Sequence, residues 1–154
     1  CALPILLIMI LAQLPGYLVA AWLVEKLGRK VTLAGFIGMC AVSAYFFGQS
    51  GSVTEIVIWG CLMSFFNLGA WGVLYTYTPE QYPTNIRAFG SGWAGAIGRI
   101  GGIVAPFAVT HLMVMPSGFS YVFTMFTVVL IAVAVVILVL GEETKGRTLE
   151  SLSQ

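Results

Sequence analysis

The chain has 154 residues, of which 59% are hydrophobic and only 8% are charged, and its mean hydropathy is +0.98. About a quarter of the residues of a soluble domain are charged, so this composition indicates a membrane protein. The formal net charge of +1, from seven Lys and Arg residues against six acidic residues, provides no basic face for nucleic acid. Partners are therefore expected in or across a lipid bilayer.

Five apolar runs follow one another along the chain, and each is close to the ~20 residues that a helix needs to cross the hydrocarbon core. They cover residues 2–24, 31–48, 53–78, 88–115 and 118–140. The predicted fold is all-α, a polytopic transmembrane helix bundle in residues 1–140 followed by a polar tail in residues 141–154. Every connection is short, so consecutive helices should be antiparallel neighbours.

Positive charges predict the direction of the spans. The first, third and fifth breaks carry six of the seven Lys and Arg residues, namely Lys26, Arg29, Lys30, Arg87, Lys145 and Arg147. By the positive-inside rule these breaks, and the tail, are expected on the cytoplasmic side of the cell membrane. Five is an odd number for a complete transporter built from repeated bundles, which favours an incomplete half.

The three basic breaks contain recognisable patterns. Residues 22–30 read WLVEKLGRK, where Gly28 permits a tight reversal and Arg29 can reach a carboxylate. Residues 78–87 read TPEQYPTNIR, with Glu80, Pro83 and Arg87 in an E-x-x-P-x-x-x-R pattern. Such charges could lock one conformation and release in another, or form a static surface salt bridge worth ~0–1 kcal/mol.

The third pattern, GEETKGRTLE in residues 141–150, completes a resemblance. In this order the three motifs resemble the C-terminal half, the last five spans, of a major facilitator superfamily transporter of the broad sugar-porter-like group, which includes metabolite:proton symporters. The resemblance implies a carrier rather than an enzyme, no cofactor, and a missing N-terminal half. It also implies a cytoplasmic charge network that closes the inner gate, formed by Arg29, Glu80, Arg87, Glu142 or Glu143, and Arg147.

The fourth run is rich in glycine. Residues 90–95, GSGWAG, match a dinucleotide-binding fingerprint by letter, but no strand precedes them, so we reject a nucleotide site. With Gly98, Gly101 and Gly102 the pattern instead predicts a helix face of small residues that allows close approach of a neighbouring backbone. Pro106 could kink the same helix.

Polar residues at one membrane depth form the predicted substrate site. Arg99 lies 99 − 87 = 12 residues beyond Arg87, which at 1.5 Å per residue is roughly 18 Å into a core about 30 Å thick. Gln13 and Asn67 are predicted at a similar depth. Trp71 and Tyr75 follow Asn67 on one helix face and could stack on a flat solute. For each of these residues a packing role is the alternative, with Arg99 satisfied by helix-end carbonyls.

The leading functional hypothesis is secondary active transport of a small organic solute by alternating access. The run from Arg99 to Pro106 resembles metabolite:proton symporters and organic ion carriers more than sugar carriers, which favours a carboxylate-bearing metabolite, for example nicotinate, moved with protons. A sugar or organic cation carrier is the alternative. A non-transporting scaffold or receptor with this fold is another, and no residue pattern indicates an enzyme or a metal site.

Overall fold

A computed structural model describes residues 2–143 of the chain. It contains six α-helices and, within those residues, no strand. The helices are α1 (Ala2–Leu11), α2 (Gln13–Leu27), α3 (Arg29–Gly48), α4 (Val53–Glu80), α5 (Arg87–Met113) and α6 (Gly118–Leu140). Because α1 and α2 form one apolar segment, Leu3–Leu27, five helices are long and apolar enough to cross a membrane. The predicted all-α bundle is therefore confirmed.

The first segment is interrupted where the sequence prediction had one continuous span. Pro15 has no N–H, so it cannot donate to the carbonyl of Leu11, and its ring crowds that carbonyl. Ala12 separates α1 from α2, although it keeps helical angles of φ −63° and ψ −19° and its N–H still donates to the carbonyl of Ile8 at 3.0 Å. The break places Gln13 at the first residue of α2.

The helices run up and down between two ends of the bundle. At one end Gln49, after α3, donates a hydrogen bond to Ser120 in the first turn of α6 at 2.8 Å. The other end, called the charged end below, contains the starts of α3 and α5 and the ends of α2, α4 and α6. It carries Arg29, Glu80 and Glu143 in mutual proximity.

Helix α3 lies at the centre, packed against α4 on one side and α6 on the other. The core is a cluster of buried side chains from α2, α3, α4 and α6, namely Ala20, Leu33, Phe36, Ile37, Val73, Tyr77 and Ala134. Glycines bring α2 and α4 close together, because a methyl group on Gly16 would collide with the carbonyl of Phe65. Within residues 2–143, helix α5 contacts only α4 and α6, and none of its residues is buried.

Candidate functional site

An ion pair joins α3 to α4 at the charged end. Arg29 Nε lies 3.1 Å from Glu80 Oε2, and the two side chains are 27% and 18% exposed. The buried side-chain Nε–H of Arg29 is not directed at that oxygen and makes no hydrogen bond within residues 2–143. The contact is therefore ionic, and the guanidinium keeps hydrogen-bonding capacity for another acceptor.

Glu143, which follows α6, caps the start of α3. Its carboxylate accepts hydrogen bonds from the backbone N–H groups of Arg29 at 2.9 Å and Lys30 at 3.2 Å. The first N–H groups of a helix lack intrahelical partners and carry positive partial charge, so a carboxylate satisfies and stabilises them. Gly28 makes the contact possible, since its φ is +97° and a Cβ there would collide with the carboxylate.

The chain after α6 is also held by α4. The hydroxyl of Tyr77 donates to the carbonyl oxygen of Glu142 at 2.7 Å, and Gln81 Nε2 donates to the same oxygen at 3.2 Å. Sequence reasoning did not select Tyr77 or Gln81. In the sequence, only their proximity to Glu80 could have indicated this role: Tyr77 lies one helical turn before Glu80, and Gln81 directly follows it.

Arg87 lies at the charged end, where it contacts the last turn of α4. The sequence prediction grouped Glu80 and Arg87 as a pair, whereas Arg87 Nε donates to the backbone carbonyl of Pro79 at 3.0 Å and Glu80 forms its ion pair with Arg29. The cause is local: α4 ends at Glu80 and α5 starts at Arg87, so Arg87 reaches the carbonyl of Pro79 in the last turn of α4, which also accepts from the N–H of Tyr82 at 3.4 Å. The predicted network member Arg147 lies outside the described residues.

Two of the predicted substrate-site residues share a cavity. Asn67 and Trp71 line a space of about 550 Å³ between α3, α4 and α6, whose other walls are almost entirely apolar. Tyr75 does not line this cavity, but its ring contacts that of Trp71, with centroids 5.5 Å apart and planes tilted by 33°. All three side chains are exposed on one face of α4. The cavity can accept a flat solute and offers it one amide.

Arg99 and Gln13 do not line this cavity. Arg99 lies at the middle of α5, is exposed, and makes no hydrogen bond or ion pair within residues 2–143. Gln13, half-buried at the helix break, lies near the middle of Leu3–Leu27. Arg99 is therefore mid-helix and Gln13 starts α2, and the described part of the chain shows no hydrogen bond or ion pair that joins Arg99 to Asn67, Trp71 or Gln13.

The glycine-rich sequence of residues 90–95 is helical throughout, within α5. No backbone or side chain lies within 4 Å of a Cβ built on Gly92, Gly95, Gly98, Gly101 or Gly102. The close approach predicted for these glycines therefore has no partner in the described part of the chain. Across residues 2–143, no group of three His, Cys, Asp or Glu side chains could hold a metal ion.

The fold and the charged end define a multi-pass helical membrane protein. The model of the Major Facilitator Superfamily matches residues 4–153. This chain belongs to that superfamily, as the three motifs indicated.

Several similar proteins are named as transporters. The chain is 75% identical over 146 residues to the niacin transporter NiaP of Acinetobacter baylyi, covering 95% of this chain and 33% of that protein. It is 54% identical over 144 residues to a Bacillus subtilis protein provisionally named niacin/nicotinamide transporter NiaP, covering 94% of this chain and 36% of the relative. Organic cation/carnitine transporter 7 of Arabidopsis thaliana is 32% identical over 143 residues, covering 90% and 27%. The chain thus spans about a third of the length of these relatives.

Proposed function

We propose that the full-length protein containing this chain transports a small carboxylate-bearing aromatic metabolite of the nicotinate type across a membrane by alternating access. The observation that carries the proposal is 75% identity to a niacin transporter over 95% of this chain. At this identity the mid-membrane side chains of the relative and of this chain are expected to be largely shared. Coupling to protons belongs to the same proposal and rests on the resemblance to metabolite:proton symporters.

The substrate site that we propose lies near mid-membrane. Arg99 would bind the carboxylate, because an arginine in the centre of a span needs a cavity or an anionic partner. The stacked rings of Trp71 and Tyr75 would contact the aromatic ring, with amides supplied by Asn67 and Gln13. In this proposal Arg99 meets the others across space that the rest of the full-length protein completes.

The charged end would form the inner gate. The ion pair between Arg29 and Glu80 ties α3 to α4, and Glu143 ties the chain after α6 to α3. Breaking these contacts would free the helix ends to separate, as an alternating-access carrier requires. The proposal places this end and the tail on the cytoplasmic side of the cell membrane, following the positive residues. Arg87 and Glu142 act there through the backbone contacts described above.

Uptake by full-length protein in proteoliposomes tests the proposal, with labelled nicotinate as substrate. A hydrogen bond to a charged group is worth about 1.5–3 kcal/mol, which corresponds to a loss of about 10- to 100-fold at 1.4 kcal/mol per tenfold, so Arg99→Ala should lower uptake by that factor. Arg99→Lys should retain part of the activity, because it keeps the charge and loses the planar fork. Ile100→Ala, at the next position and also exposed, is the matched control.

Two outcomes would contradict the proposal. Full nicotinate uptake by Arg99→Ala would remove Arg99 from the site. No labelled exchange by the wild type in a counterflow experiment would favour a scaffold or receptor. The organic cation alternative, consistent with the name of the Arabidopsis relative, predicts that Arg99→Ala increases cation uptake, because the guanidinium would repel a cation.

A further inference from the structure

A second cavity, of about 230 Å³, lies between α2 and α4 next to the charged end. Small residues line the facing helices, Ala21 on α2 and Gly72 on α4. The ring of Tyr17, which also lines the cavity, packs directly against Gly72, where a Cβ would otherwise lie. Unlike the larger cavity, it is lined by charged and polar residues, namely Glu25, Arg29 and Thr76. It is below the usual size range for drug-sized ligands, which suits a single-ring solute.

Arg29 belongs both to this cavity and to the proposed gate. Arg29 lines the cavity, while its Nε lies 3.1 Å from Glu80 Oε2. The buried Nε–H makes no hydrogen bond within the described residues. A carboxylate that entered the cavity could accept the planar, paired hydrogen bonds that guanidinium favours, and would then compete with Glu80 for the same group.

Three residues that line the cavity suit one class of solute, a single-ring aromatic carboxylate. Tyr17 provides an aromatic wall for a flat ring, and Arg29 provides a cation for a carboxylate. Glu25 provides an acceptor for a protonated ring nitrogen. A neutral amide of the same shape would lack the charge needed to displace Glu80.

We propose that the cavity between α2 and α4 is a second, gate-side binding site for a single-ring aromatic carboxylate, and that its carboxylate displaces Glu80 from Arg29. The inference rests on the proposed function, since the ligand class is that of the transported solute. A substrate leaving the central site would then itself break the ion pair that joins α3 to α4. Release of the substrate and opening of the gate would be one event.

Protection of an introduced cysteine tests this site directly in the full-length protein, in a background without other reactive cysteines. Ala21→Cys places a thiol in the wall of the cavity, and Leu18→Cys places one on an exposed surface of the same helix, outside the cavity. Nicotinate should slow maleimide labelling at position 21 and leave position 18 unchanged. Thr76→Cys, on the opposite wall, is the second reporter. Nicotinamide, which is neutral, should protect neither.

Two substitutions separate direct binding from a conformational effect, because both remove the ion pair. Glu80→Gln removes the competitor and should lower the nicotinate concentration for half-protection about tenfold. Arg29→Gln removes the binding group and should raise that concentration at least tenfold. Lys30→Gln removes the neighbouring charge, which does not line the cavity, and should behave as the wild type.

Each result decides between the two proposals. Opposite shifts in Glu80→Gln and Arg29→Gln support binding at Arg29. Shifts in the same direction would show that protection reports gate opening alone, and would overturn the inference. Normal nicotinate uptake without protection at position 21 or 76 would also overturn it, while leaving the proposed function intact. Absence of nicotinate uptake by the wild type would overturn the proposed function itself.

Discussion

Helices α3 and α5 are similarly apolar and both begin with an arginine at the charged end, yet they differ in how much of each helix is buried. More than half of the apolar window of α3 is buried between α4 and α6, whereas none of the window of α5 is buried. At its start, α3 is held by the Glu80 ion pair and the Glu143 cap. In the described part of the chain, the first residue of α5 is joined to α4 by a hydrogen bond from Arg87 to the carbonyl of Pro79, and no carboxylate caps this helix start.

The difference in burial indicates different roles: α3 supports the bundle, and α5 exposes its side chains. A helix packed on two sides cannot move without repacking the core, while α5 carries an arginine and a row of glycines on a free surface. Arg99 would cost at least about 2.5 kcal/mol if it faced lipid. We infer that the Arg99 face of α5 lies against a cavity or against protein outside this chain, and that α3 carries the stability of this part of the molecule.

The largest effect is expected from the core of α3. Leu33 is 1% exposed, and Leu33→Ala should lower the free energy of unfolding by about 2 kcal/mol, the lower end of the range for buried leucine, because lipid is as apolar as the core. Ile100 on α5 is 61% exposed, so Ile100→Ala should have little effect. Unfolding of the full-length protein in detergent measures both. Equal losses would show that α5 is as well packed as α3 in the whole protein.

Gly28 gives the next largest effect, because it sets the start of α3. With φ +97° and ψ 168° it occupies a region reserved for glycine, where another residue costs about 1–3 kcal/mol. Gly28→Ala also pushes the Glu143 carboxylate off the helix start. We expect a lower melting temperature and faster cysteine labelling at the charged end. The control is Gly35→Ala in the same helix, which has open space around it and should raise stability slightly through helix propensity.

Sequence reasoning predicted the membrane helices well because a run of ~20 apolar residues is sufficient to define one. It could not predict which helices are buried, since a helix that is apolar all round has no polar face to indicate its direction. The break at Ala12 was missed although Pro15 was visible. An apolar run gives no sign of whether a proline bends a span or interrupts its hydrogen bonding.

At the candidate site the charged residues were recognised, but some of their partners were not. Either Glu142 or Glu143 was expected to join a network of side-chain charges, and the contacts of Glu143 include backbone N–H groups 114 and 113 residues earlier in the chain. Backbone N–H and C=O groups are the same in almost every residue, so a contact with them leaves no recognisable pattern in the sequence. The same reason explains Arg87, which binds the Pro79 carbonyl.

The smallest effect is expected from the Glu143 carboxylate, which caps the start of α3. Glu143→Gln keeps one acceptor for the Arg29 and Lys30 amides but removes the charge that favours the helix end, a loss of about 1 kcal/mol or about fivefold in local opening. Hydrogen exchange of the first turn of α3 should accelerate by that factor, with the first turn of α5 unchanged. Glu55→Gln, which removes the same charge at the opposite end of the bundle, is the control and should leave both unchanged. Faster exchange in α5 but not in α3 would show that the carboxylate stabilises the charged end generally and does not act as the cap of α3.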